Sequence, residues 1–163
     1  MNSLGKPAQS KIAVRQAVLT DVSPLAPLFD AYRQFHGRES DEYQAHEFLL
    51  ARFNHGESVV LVAEGESGLL GFVQLYPSFS SISLARTLVL NDVYVVPSAR
   101  RQGVAGALLR AATAYARRVR ASRITLSTLV DNDPAQSLYR DHGWQPDEQY
   151  KVFHKVIVEA SGK

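Results

Sequence analysis

A β-rich run, Leu88-Val89-Leu90-Asn91-Asp92-Val93-Tyr94-Val95-Val96, is ended by Pro97. Directly after it comes Arg100-Arg101-Gln102-Gly103-Val104-Ala105-Gly106-Ala107-Leu108-Leu109, which opens a helical segment reaching about Arg120. Few arrangements limit a fold as strongly. A strand feeding a basic, glycine-containing loop and then a helix leaves unpaired backbone N–H groups, and the positive end of the helix dipole, facing one point. Small residues let the backbone approach closely, and a pyrophosphate suits such a cradle. The run has no Gly-x-x-x-x-Gly-Lys-Ser/Thr, which removes a P-loop. Nor does it hold Gly-x-Gly-x-x-Gly in the first turn of a βαβ unit, which weighs against a dinucleotide.

Two blocks go further than the general recipe. The first is Arg100-x-x-Gly103-x-Ala105, immediately after the strand. The second is Asn132-Asp133-Pro134-Ala135-Gln136-Ser137-Leu138-Tyr139-Arg140-Asp141-His142-Gly143-Trp144. In order and separation they resemble the acetyl-CoA signature and the following conserved block of the GNAT superfamily of N-acetyltransferases, over roughly the C-terminal half of that fold.

The resemblance implies an α/β GNAT fold. Its mixed central β-sheet is mostly antiparallel in the N-terminal half, then has a splayed parallel strand pair, with helices on both faces. The pantetheine arm of acetyl-CoA would lie against the backbone of Val93, Tyr94 and Val95. Backbone N–H groups of Arg101, Gln102, Gly103, Val104, Ala105 and Gly106 would hold the pyrophosphate, with Arg100 opening the loop. Asn132 and Ala135 would also meet the cofactor, although Asn132 is equally suited to cap the helix that follows it. Tyr139 would be the general acid for the leaving thiolate, since a phenol titrating near 10 suits that proton transfer. A tyrosine packed on an amphipathic helix is the alternative.

Asp92 stands in an otherwise apolar strand, where a carboxylate is costly without a purpose or partner. It would accept the amine's proton or hold the cationic amine, or else serve as a structural carboxylate. Polyamine-acetylating relatives carry an acidic pair at these two positions. Here Asn91 stands where the glutamate would be. Asp30, Tyr32, Phe35, His36, Tyr76 and Phe79 offer an aromatic and acidic wall for a cationic amine, with Tyr32, His36, Tyr76, Asn91 and Asp92 as the candidate acceptor contacts. Each of them has a plain packing role as its alternative. Together with Gly71-Phe72-x-x-x-Tyr76 and an aromatic C-terminal strand, the pattern is similar to the diamine and polyamine branch.

The remaining elements read as a first strand over residues 12–18, a helix over 22–36 capped by Thr20 or Asp21, and a second helix capped by Ser40 and reaching about Phe53. A hairpin of strands 58–64 and 69–76 follows, with a loop over 78–83 before the long strand. After the helix at 103–120 come a strand at 123–130, a helix at 134–142 and a last strand at about 152–158. Met1 to Lys11 is polar, with no apolar core for a signal peptide, and is expected to be a flexible tail before one acetyltransferase domain over 12–160.

Cysteine is absent, which excludes disulfides, a Cys–His nucleophile and thiolate metal sites. The five histidines show no metal spacing, and no metal is expected. No Gly-x-Ser-x-Gly elbow supports a hydrolase. No run is long enough to span a membrane. A net charge of +2 hides an uneven distribution: between Asp92 and Asp131 there is no acidic residue, and Arg100, Arg101, Arg110, Arg117, Arg118, Arg120 and Arg123 all fall there. Those of the helix interrupt an alanine-rich stretch at exposed positions, with only Tyr115 among them, so nucleic acid is not the expected partner. The expectation is a cytoplasmic, homodimeric acetyltransferase acting on a small-molecule primary amine, paired through surfaces such as Val152, Ile157 and Val158. A protein N-terminus or lysine as acceptor, or a CoA-binding module without turnover, are the alternatives.

Overall fold

A computed structural model of the chain describes residues 12–157. The elements are β1 (Ala13–Gln16), α1 (Val22–Phe35), α2 (Glu42–His55), β2 (Val59–Gly65), β3 (Gly68–Ser80), β4 (Ala85–Val95), α3 (Val104–Arg118), β5 (Arg123–Leu126) and α4 (Asp133–Asp141), with short 3-10 turns at Leu19–Asp21 and Pro97–Ala99. The chain divides into two compact units, Met1–Leu129 and Val130–Lys163.

The first unit holds a five-stranded sheet in the order β1-β2-β3-β4-β5. All neighbours are antiparallel except β4 and β5, which run parallel. Strand alternation sorts the side chains onto two faces. Val60, Val62 and Phe72 pack with Val22, Leu25, Ala26 and Phe29 of α1 and Ala45 and Leu49 of α2. Leu61, Ala63, Val73 and Leu75 point the opposite way, and α3 packs on the sheet there with its buried stripe of Val104, Leu108, Leu109, Ala112 and Ala116. Both faces of β2 and β3 are therefore covered, which is why these strands read as nearly unbroken apolar runs. The fold is the mixed α/β sheet with helices on both faces that the GNAT resemblance implies.

Several boundaries differ from the sequence reading, each for a physical reason. Strand β3 runs on to Ser80, because residues 76–80 pair with 85–89 of β4. Pro77 is tolerated there since pairing with β2 ends at Leu75, and its missing N–H has no ladder partner to lose. Asp41, not Ser40, caps α2 by accepting from the Gln44 N–H at 3.0 Å. The Ser40 hydroxyl donates instead to Asp30 at 2.7 Å. Asp21 does not cap α1 either; its carboxylate takes Arg15 at 2.7 and 2.9 Å and the Val18 N–H at 2.7 Å. Strand β5 stops at Leu126, where its pairing with β4 stops.

In the second unit, Asn132 caps α4 by accepting from the Ala135 N–H at 3.3 Å, and Pro134 fills the first turn. Gly143 at φ +88° ends the helix, with the Trp144 N–H bonded back to the Tyr139 carbonyl at 3.0 Å. The expected last strand is not formed over 152–157. β-branched residues make a strand only with a ladder partner, and none pairs with them among the described residues; Val152, Phe153, Val156 and Ile157 stand 74–89 % exposed. Val158 and the tail at 1–11 lie outside the described residues.

Candidate active site

The site in the first unit begins with an irregularity in β4. Gln74 pairs with Asp92, whereas Leu75 pairs with Leu90, so Asn91 is an extra residue with no partner on β3. Such a bulge bends its strand and increases the local twist. Pairing of β4 with β5 covers only 87–90. From Asp92 to Val95 the strand keeps β3 on one side and, among the described residues, has no ladder on the other. This is the open edge that a strand-like ligand arm requires.

The chain then turns through Pro97–Ala99 into the loop. Arg100 folds back, its Nε donating to the Val95 carbonyl at 3.0 Å and its guanidinium lying over the Tyr94 ring at 5.8 Å. Gln102 ties the loop to itself by donating to the Ser98 carbonyl at 2.9 Å. Arg101 has φ +63° and Gly103 φ +81°. Glycine adopts that region freely, but an arginine there costs about 1–2 kcal/mol. Strain of this kind marks places where the backbone is shaped for something other than folding. The first intrahelical bond of α3 runs from Ala107 to the Gly103 carbonyl, so the N–H groups of Val104, Ala105 and Gly106 have no helical acceptor. A Cβ on Gly103 would meet no atom within 4 Å, so the space over the loop is open. Free donors, positive helix end and open space together fit a pyrophosphate.

Asp92 and Gln74 share the sheet face that carries α1 and α2. Asp92 is 3 % exposed. It accepts from Gln74 Nε2 at 2.7 Å and from Asn91 Nδ2 at 2.9 Å. Two further buried carboxylates, Asp21 and Asp30, are each paired with an arginine. Asp92 has no ion pair among the described residues. Tyr76, two residues along β3 on the same face, has its phenol pushed up to about 12 by burial and by the charge of Asp92, with Arg52 pulling the other way. Tyr32 of α1 donates to the bulge carbonyl of Asn91 at 3.4 Å, and His36 packs edge-on against the Tyr32 ring at 4.7 Å. Phe72 and Tyr94 continue the aromatic wall.

The family model for the acetyltransferase (GNAT) family matches residues 25–144. The chain belongs to the GNAT acetyltransferase family. It is 46 % identical over 134 residues to an uncharacterised N-acetyltransferase, YhfO, of Bacillus subtilis, covering 82 % of this chain and 90 % of that one. It is 33 % identical over 121 residues to an aminoglycoside N(6′)-acetyltransferase of Klebsiella aerogenes, covering 70 % and 80 % respectively. The crystal structure of a probable acetyltransferase superposes with a TM-score of 0.86 at 44 % identity, over 90 % of this chain and 99 % of the other.

Within this GNAT fold, Val93, Tyr94 and Val95 and the loop from Arg100 to Gly106 are brought together. Asn91, Asp92, Tyr32, His36 and Tyr76 gather beside them through the bulge carbonyl and the shared sheet face. Asp30 does not join the wall. Burial alone would push its carboxyl up, but the Asp41 N–H, Ser40 hydroxyl and Arg33 guanidinium, which all donate to it, hold it below its ordinary value of 3.8. Gln34 donates to it as well, so the carboxylate is saturated and ties the end of α1 to the start of α2. Phe35, 64 % exposed, packs edge-on against His36 at 5.4 Å at the rim of the wall, while Phe79, 73 % exposed, lies under the Arg86 guanidinium instead. In the second unit, the Asn132 side chain serves its cap, and Ala135 supplies the N–H it accepts from. Tyr139 is half-buried against Trp144, and burial pushes its phenol up.

Two features went unread in the sequence. The bulge was signalled only by a polar pair inside an apolar strand. Gln74 was signalled by a lone amide in Phe72-Val73-Gln74-Leu75. Among the described residues no group of three or more His, Asp or Glu lies close enough to hold a metal, and no helix is long and apolar enough to cross a membrane.

Proposed function

We propose that this acetyltransferase takes its acetyl group from acetyl-CoA and transfers it directly to a primary amine of a small cationic molecule. The observation that carries the reading is Asp92: a buried carboxylate held by two neutral amides and, among the described residues, left without a cation, beside an open strand edge and a loop suited to an anion. A buried negative charge is costly unless something positive meets it, and an ammonium acceptor is that partner. The sequence relation to an aminoglycoside N(6′)-acetyltransferase supports a small polyamine-like acceptor, and the aromatic wall of Tyr32, His36 and Tyr76 suits its charge.

The residues present fit acetyl-CoA. N–H groups from Arg101 to Gly106 would hold its pyrophosphate, and the edge at Val93–Val95 would hold its pantetheine amides. When bound, acetyl-CoA supplies a thioester-activated acyl group. Asp92 orients the ammonium and draws its proton, directly or through water, so that a neutral amine is presented. A backbone N–H of the open edge polarises the carbonyl oxygen as charge gathers on it. Tyr139 gives the proton that the departing thiolate needs; with its phenol pushed up by burial, it holds that proton at neutral pH.

The test is CoA release followed with a thiol reagent across kanamycin, spermidine, free amino acids and short peptides. The protein has no cysteine to react. Turnover with the small amines, lowered but still measurable in Asp92→Asn, is the expected result. Turnover confined to peptides would move the acceptor to a protein and sink this reading.

A further inference from the structure

We propose that Gln74 is a positioning residue, which holds the Asp92 carboxylate in the direction the acceptor amine needs. The inference rests on the role of Asp92 proposed above and names the side chain that acts through it.

Gln74 is the only polar residue in Leu69–Leu75 of β3 and is 0 % exposed. Its Nε2 donates to Asp92 Oδ2 at 2.7 Å, in a fully buried bond. An ionised carboxylate can only accept, so the amide cannot turn round. Its Oε1 is consequently left buried with no hydrogen-bond partner among the described residues. An orphaned buried carbonyl destabilises a core, and an apolar side chain of the same shape would not. The amide stands here because of Asp92, whose buried Oδ2 takes its N–H.

What the amide provides is direction without neutralisation. Asn91, the bulge residue, donates to the other carboxylate oxygen at 2.9 Å, so Asp92 is held at both oxygens, from β3 and from β4. The two purely structural buried carboxylates are held differently, Asp21 by Arg15 and Asp30 by Arg33. A guanidinium at Asp92 would have cancelled the charge that the amine must find; two amides fix its geometry and leave the charge in place. Ionisable groups on this face include Tyr76, Tyr94, Tyr32, His36 and Arg52, and Arg52 is already engaged by Glu57 at 2.6 Å.

Gln74→Met keeps the length and shape of the side chain and removes both amide ends. It should lower Tm while the protein stays folded, since the buried Asp92 Oδ2 loses its donor. Acetyl-CoA affinity by calorimetry should not change. With whichever of kanamycin and spermidine turns over, kcat/KM for the amine should fall ~10- to 100-fold, the loss typical of a misplaced reacting group. In an Asp92→Asn background the same substitution should change kcat/KM by no more than about twofold, as expected when one residue acts only through the other. Equal falls in both backgrounds, an unchanged kcat/KM, or an unfolded Gln74→Met would overturn the proposal. Gln74→Leu repeats the cycle with a second apolar side chain.

A crystal structure of Gln74→Met with CoA asks the same question without an acceptor. Asp92 turned away from Asn91 supports the proposal, and Asp92 in its original place refutes it. If the natural protein acetylates no amine at all, the acceptor reading fails, while the crystal structure still decides whether Gln74 positions Asp92.

Discussion

Gly71 offers the sharpest test of how the open edge is placed. It pairs with Val95 across β3 and β4 and is fully buried. A Cβ there would stand 2.5 Å from the Tyr94 carbonyl oxygen and 3.2 Å from Val95 Cα, both backbone atoms. Ordinary contact begins near 3.4 Å, so Gly71→Ala must find about 0.9 Å (3.4 less 2.5) by moving β4. No side chain can rotate to absorb it. Overpacking of this kind costs about 1–3 kcal/mol, or roughly 2–10 °C in Tm for a chain of this size. The part of β4 that must move is the stretch without a β5 partner, where the pantetheine amides are proposed to pair. A shift near 1 Å in a positioning element can cost ~10²-fold in rate. The expected outcome is a folded protein with lowered Tm, weaker CoA binding by calorimetry and kcat/KM down about a hundredfold in the thiol-release assay. Gly71→Ala with natural Tm and natural kcat/KM would show that this close approach does not set the edge, and the argument would fail.

Three further outcomes are expected. Gly103→Val forces a β-branched residue to φ +81° where there is room for the side chain but not for the backbone; CoA affinity should be lost while circular dichroism stays native, and a normal CoA titration would remove the loop assignment. Tyr139→Phe should lower kcat by ~10²-fold or more with acetyl-CoA affinity kept, and unchanged kcat would take Tyr139 out of the mechanism. Asp30→Asn should destabilise by roughly 3 kcal/mol at pH 7, since it leaves Arg33 beside an uncharged group in a buried knot. Because the folded carboxyl is held below 3.8, its contribution is full at neutral pH and is lost progressively as pH falls below 3.8 through the lowered folded value. The Tm gap between Asp30→Asn and the natural protein should therefore narrow from pH 7 to pH 3, and a constant gap would contradict the assignment.

What could be read from the chain alone was what acts over a few residues. The strand, loop and helix from Leu88 to Arg118 follow from apolar runs, Pro97 and Gly103. Asn132, Pro134 and Gly143 delimit α4 by local capping rules, and the two blocks around Gly103 and Tyr139 were enough to point to the family. What tertiary structure decided depends on partners far along the chain. Asn91 becomes a bulge only because β3 pairs around it, and Gln74 meets Asp92 across 18 residues. Asp30 turned from a candidate residue of the acidic wall into a knot once Ser40 and the Asp41 N–H closed on it. Residues 152–157 carry strand propensity yet form no strand, because propensity without a ladder partner is not realised. Local sequence sets the backbone's preferences within a turn or two; which polar group is buried, and against what, is settled only when distant strands come into register.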